Sequence, residues 1–180
     1  MQTPKLLAVA LWLAATPAVG GQRKPAPNDA LRRPGEATMF SFRTYRGKTV
    51  SLCEGPKRAY LVYRFGTAAK VELQYPAVLD ASSWQKFTYH KHYYDGTNNA
   101  YEAVNQLSFT IGTVEYVLFD NKYGFLDEHK QNDYYRKIGI DVSMKYARKG
   151  ARISGSDEST SGNLYLTDDQ RARVKLSEQP

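Results

Sequence analysis

The chain has 180 residues, with 25 Lys and Arg against 18 Asp and Glu and a formal net charge of +7. Such a length is one domain with enough residues to bury a core. Cys53 is the only cysteine, which excludes an internal disulfide, so packing alone must hold the fold.

Met1–Gly20 reads as a secretory signal peptide: Lys5, the apolar run Leu6–Ala15, then the small residues Ala18 and Gly20, with cleavage expected before Gly21. The apolar run is shorter than the roughly 20 residues a membrane span needs. Removing the leader leaves 24 basic and 18 acidic residues, a net +6. The mature chain is therefore expected to be soluble and exported, periplasmic or secreted, with no stable membrane insertion. Gly21–Ala37 is Pro-rich and charged, without an apolar period, and reads as a flexible tether. A single domain is expected over residues 38–176, followed by a short polar tail.

Met39–Tyr45 alternates as a first strand, Arg46-Gly47 is a turn, and Lys48–Glu54 is a second strand that ends at Gly55-Pro56. Cys53 in that strand reads as a small buried hydrophobe. Arg58–Gly66 and Lys70–Tyr75 alternate with period two and are expected to pair as a hairpin. Phe65 then sits opposite Val71, Arg64 opposite Glu72, and Gly66–Lys70 forms a five-residue loop. Ala77–Ser83 is a connection, and Trp84–Tyr94 a strand with Tyr89 on one face and His90, His92 and Tyr94 on the other. Asp95–Asn99 is a polar turn.

Leu107, Phe109 and Ile111 lead through Gly112-Thr113 into Val114, Tyr116 and Leu118. The two-residue turn pairs Ile111 with Val114, Phe109 with Tyr116, Leu107 with Leu118 and Thr110 with Glu115. Asn121–Arg136 reads as a long polar and aromatic loop. Lys137–Ala147 is a cleanly alternating strand, Arg148–Gly150 a turn, and Ala151 to Ile153 a short strand. Ser154–Asn163 reads as a mobile polar loop. Leu164 and Leu166 pack back, and Thr167 or Asp168 caps a short helix over Asp169–Val174. Together these elements predict an all-β fold, a single-domain antiparallel β-sandwich or flattened barrel of about eight or nine strands.

No catalytic template is present. There is no Gly-x-Ser-x-Gly elbow, no zinc-enzyme spacing and no phosphate-cradling glycine loop. His90 and His92 share a strand face near Asp95, a spacing that can chelate a metal, but a third ligand needs His129 to fold back. They read as partly exposed histidines instead. Asp120–Gly124 with Asp127 and Glu128 lacks the ligand spacing of a calcium loop. No cofactor, metal or nucleic-acid partner is expected, since the basic residues are scattered among strands. The residues in excess of core needs are aromatic: Tyr89, His90, His92 and Tyr94 at one strand end, and Tyr123, Phe125, Tyr134 and Tyr135 around the long loop. Tyr anchors protein interfaces, so these eight are the candidate binding residues.

The run Leu52-Cys53-Glu54, Tyr60–Gly66 and Lys70–Leu73, followed by the Leu107–Phe119 hairpin, resembles small exported bacterial all-β proteins. Over residues 38–155 the plan is similar to periplasmic lysozyme inhibitors and to immunity proteins that neutralise secreted wall-degrading toxins. The resemblance implies a non-catalytic protein that occludes a cell-envelope-targeting enzyme. Two departures stand out: many such inhibitors carry a disulfide, and many are acidic. The alternatives are a binder of an envelope polymer or small ligand, using a barrel mouth or basic face, and a hydrolase with unrecognised carboxylates.

Overall fold

The computed structural model describes residues 31–95, 100–126, 132–144 and 150–177, of which residues 95, 125, 126 and 132–134 are described by backbone alone. The expected leader, the start of the tether, residues 96–99 of the expected Asp95–Asn99 turn, and residues 145–149, where the Lys137–Ala147 strand is expected to end and the Arg148–Gly150 turn to begin, lie outside these residues, as does His129.

Among the described residues there are ten strands: β1 (Ala37–Thr44), β2 (Thr49–Glu54), β3 (Leu61–Thr67), β4 (Lys70–Tyr75), β5 (Thr88–Asp95), β6 (Ala100–Ile111), β7 (Val114–Leu126), β8 (Asn132–Met144), β9 (Ala151–Gly162) and β10 (Lys175–Leu176). They form one sheet in the order β10-β5-β6-β7-β8-β9-β1-β2-β3-β4. All pairs are antiparallel except β10 with β5. Among the described residues the helical elements are one short α-helix, α1 (Asp168–Arg171), and two 3-10 turns at Pro56–Arg58 and Ala81–Lys86. The all-β expectation holds, with ten strands in place of eight or nine.

The sheet is curled into a half-barrel around its core. Tyr75 of β4 stacks on Phe109 of β6 with centroids 4.5 Å apart. These strands stand seven intervals apart in the sheet order, roughly 34 Å on a flat sheet at about 4.8 Å per strand. Only strong curvature brings them into contact. Phe40, Phe42, Leu52, Tyr63, Leu107 and Ile140 are among the buried residues inside the curl.

The β6–β7 hairpin has the expected register at every pair, Ile111 opposite Val114 through Leu107 opposite Leu118. Gly112 takes φ +60 and is the sole positive-φ residue of its turn, as a type II′ turn requires. Thr167 caps α1, its side chain accepting from the Gln170 amide while Gln170 reaches back.

The β3–β4 hairpin departs from expectation. Phe65 lies opposite Leu73 and Arg64 opposite Gln74, with a register shift between Phe65 and Gly66. Both strands run on to Thr67 and Lys70, so the turn is two residues rather than five. Gly66 absorbs the extra residue at φ +151, where an added Cβ would lie 2.3 Å from the Lys70 carbonyl. Glu72 consequently pairs with Lys48 at 2.6 Å, and Arg64 turns to a buried partner described below.

Three further expectations are corrected. Trp84 does not begin a strand but sits buried in the 3-10 turn, its Nε1 donating to the Arg58 carbonyl at 3.1 Å. Within the expected loop Asn121–Arg136, residues 121–126 and 132–136 are strand: β7 and β8 pair along their whole lengths, to Leu126 opposite Asn132. Ser154–Asn163 is not a polar loop either, since β9 pairs with β8 through Ala151–Ser154 and with β1 through Gly155–Gly162. Its small residues suit that place, because a Cβ at Gly155 would meet the Phe42 ring at 2.4 Å. The described end of the expected tether also packs on the domain, with Leu31 and Glu36 both buried.

Candidate functional site

Strand alternation sorts the residues of β5–β8 onto two faces. Leu107, Leu118, Ile138 and Ile140 point into the core. Their neighbours therefore form the outer face, which antiparallel sheets commonly leave solvated. One ladder row there runs Tyr94, Glu102, Tyr123, Tyr135 from β5 to β8. On the same face, two positions along each strand, stand His92 opposite Val104 and Asn121 opposite Lys137.

This row is ordered by its own contacts. The Tyr123 and Tyr135 rings stack at 5.3 Å with 20° between their planes. The Lys137 ammonium lies 5.0 Å and 5.4 Å from the two ring centroids, and Asn121 Nδ2 donates to the Tyr123 hydroxyl at 3.3 Å. Each exposed cation–π contact is worth about 0.5–1 kcal/mol. Tyr94 and Tyr135 keep about half their surface, 52% and 49%. Lys137 has no ion pair among the described residues. The result is a stacked tyrosine pair carrying the Lys137 charge on its rings, toward the end of the sheet away from the β6–β7 turn.

The candidate residues divide accordingly. Tyr94, Tyr123, Tyr135 and His92 come together on the outer face. His90 is on that face two positions nearer the core, half-buried in a shallow groove beside Gln106, Glu115 and Val117. Phe125 shares the Tyr123 side of β7 by register, opposite Asp133. Tyr134 lies on the alternate side, opposite Gly124. Tyr89 is a core residue, 2% exposed, its hydroxyl donating to Asn105 Oδ1 at 2.8 Å. Lys137, Asn121 and Glu102 were missed by sequence reading. Reading 121–136 as a loop hid the alternation Asn121-x-Tyr123-x-Phe125 against Tyr135-x-Lys137.

Two carboxylates are buried among the described residues, Glu36 and Asp120, and both are structural. Glu36 accepts from Arg64 Nη1 and Nη2 at 2.6 and 2.8 Å, from the Arg33 amide at 2.8 Å and from Tyr60 at 2.9 Å. Four donors occupy the four lone-pair sites of one carboxylate. Burial pushes the Glu36 carboxyl up, but these donors outweigh it and hold the group below its ordinary value. Asp120 accepts from Arg136 Nε and Nη2 at 2.6 and 2.8 Å and from the Leu164 amide at 3.1 Å. Arg136 also grips Asp157 and the Gly162 carbonyl, tying β9 to β8.

Cys53 is fully buried, and burial, with a smaller contribution from the Glu36 charge, pushes its thiol up to about 12. It is neither a nucleophile nor placed for a bond between chains. Among the described residues no three His, Cys, Asp or Glu side chains gather where they could hold a metal ion, and no helix is long and apolar enough to cross a membrane.

No protein-family model matches the chain, and neither a curated protein nor a solved structure matches it.

Proposed function

We propose that the protein is an exported, non-catalytic binding protein, a periplasmic inhibitor or immunity protein that occludes a cell-envelope-targeting enzyme or toxin. The observation that carries this reading is the outer-face row Tyr94, Glu102, Tyr123, Tyr135, exposed at both tyrosine ends and ordered at Tyr123 and Tyr135 by ring stacking with Lys137 beside them. Rigid tyrosines contribute large contact area at low entropic cost, and interface hot spots favour Tyr. Two further observations support it. The leader-like Met1–Gly20 points to export, and the buried carboxylates are engaged by structural donors, four on Glu36 and three on Asp120, which favours occlusion over proton-transfer chemistry. The basic balance suits an acidic partner surface, so the target is a less basic enzyme than a typical lysozyme.

The test compares the mature chain with the double variant Tyr94→Ala/Tyr135→Ala as paired crosslinking baits in envelope and secreted fractions, followed by assay of the captured enzyme. The wild type should capture a wall-degrading enzyme and slow it. The double variant should bind at least tenfold more weakly, about 1.4 kcal/mol, without unfolding, since both rings are exposed. Capture of no protein, capture without inhibition, or equal binding by the variant would each reject the proposal.

A further inference from the structure

A second feature lies at the end of the sheet that carries the β1–β2 turn. A cavity of about 460 Å³ opens between the β1–β2 turn, β3 and the first residues of β9. Its volume falls in the range of small-molecule sites, about 300–1,000 Å³. Phe65 and Ile153 line it, and both pack directly against the core cluster, so its floor is continuous with the apolar interior.

The rim is cationic. Lys48 lays its stem along the wall, its ammonium 5.2 Å from the Phe65 centroid and 2.6 Å from Glu72. Arg152 is held by Asp141 in two hydrogen bonds of 2.6 Å each. Both charges are thus balanced. Arg46 is exposed and has no carboxylate or hydrogen-bond partner among the described residues. Tyr45 beside it is 85% exposed, a ring with an apolar body and a polar tip at the water boundary.

We propose that this mouth binds a long-chain anion: an amphiphile with a single carboxylate or phosphate head at Arg46 and an apolar chain over Phe65 and Ile153. A small hydrophilic anion would leave the apolar floor wet. A neutral amphiphile would leave Arg46 without a counter-charge. Only a ligand with both parts uses both parts of the site. The cavity shares no lining residue with the tyrosine row.

Isothermal titration of the mature chain with dodecyl phosphate below micelle formation tests this, with inorganic phosphate and dodecyl maltoside as parallel arms. Dodecyl phosphate should bind one to one, and both other probes at least tenfold more weakly. Arg46→Glu, on an exposed turn, should weaken dodecyl phosphate at least tenfold with an unchanged unfolding midpoint. Ala151→Trp, filling the cavity from an exposed lining position, should abolish binding; if that variant does not fold, Arg46→Glu decides. No binding, equal binding of dodecyl maltoside, binding of inorganic phosphate as tight as that of the amphiphile, or wild-type affinity in Arg46→Glu would overturn the proposal.

Discussion

Arg64 and Glu36 both have 0% of their side chains exposed, so each charge depends on the other. The pair is fully hydrogen-bonded: Arg64 also donates to Gln74 Oε1 at 3.0 Å and to the Leu31 carbonyl at 3.1 Å. Removing one partner strands a buried charge. Arg64→Met should therefore cost about 3–5 kcal/mol, whereas Arg64→Met with Glu36→Met should recover much of it; urea unfolding of the two variants reads this directly. Because the folded carboxyl sits below its ordinary value of 4.5, the Glu36 contribution is present above that pH. It is lost as pH falls through and below 4.5. The wild type should thus lose more stability between pH 5 and pH 3 than the double variant; parallel slopes would show that Glu36 is not held ionised. Little of this was legible in the sequence. Period-two alternation placed Arg64 on a solvated face with Glu72 as its neighbour, and nothing in a Pro-rich segment 28 residues upstream marks Glu36 as the partner. Cys53 was easier, because a small apolar residue in a strand has one usual fate.

The glycines of the β6–β7 and β3–β4 hairpins show which elements a sequence can specify. Gly112 sits in an open turn where an added Cβ meets nothing within 4 Å, and its register follows from turn length alone. Gly66 sits inside a ladder at φ +151, with the Lys70 carbonyl and the Glu72 amide both within 3 Å of an added Cβ. A bulge of that kind shifts register without a motif of its own. Gly66→Ala should cost about 2–3 kcal/mol, and Gly112→Ala about 1–2 kcal/mol from its left-handed backbone alone. Chemical unfolding midpoints should fall in that order; equal losses would argue against close packing at the bulge. The β7–β8 extension and β9 went unread for a related reason. Asn, Asp, Ser, Gly and Lys are depleted from strands on average, yet propensity in sheets is set chiefly by neighbours. Here β6 and β8 flank β7, and β8 and β1 flank β9, so ladder pairing overrides composition. The same misreading split the candidate site. The tyrosines were identified by excess, but their common face, and Lys137 among them, became visible only once residues 121–126 and 132–137 were strands.

At the scale of the molecule, the sheet is an ordered meander opened between β4 and the margin formed by β5 with β10. The hydrogen-bonded ladder runs through β9 and β1, and β4 pairs with neither β5 nor β10. Aromatic contacts hold the two margins instead. Phe109 is their common member: it meets Tyr75 at 4.5 Å, Tyr63 and Tyr116 at 4.9 Å and Phe87 at 5.5 Å. With 3% of its surface exposed, its removal leaves a cavity at the meeting point of both margins. Phe109→Ala should cost about 3–5 kcal/mol, a fall of roughly 10 °C in Tm for a domain of this size. Burial alone would give a cost of that order, so coupling between the rings is the discriminating quantity. If the rings close the curl, Phe109→Ala and Tyr75→Ala should be non-additive by about 0.5–1.5 kcal/mol, the value of a specific aromatic pair. Phe40, also fully buried but on β1 and in no ring contact with Phe109, is the control, and Phe109→Ala with Phe40→Leu should add within about 0.5 kcal/mol. Additivity in both cycles would mean that the β4 and β5 margins are held by the Ala81–Lys86 connection, with Trp84 at its centre, rather than by the stack across them.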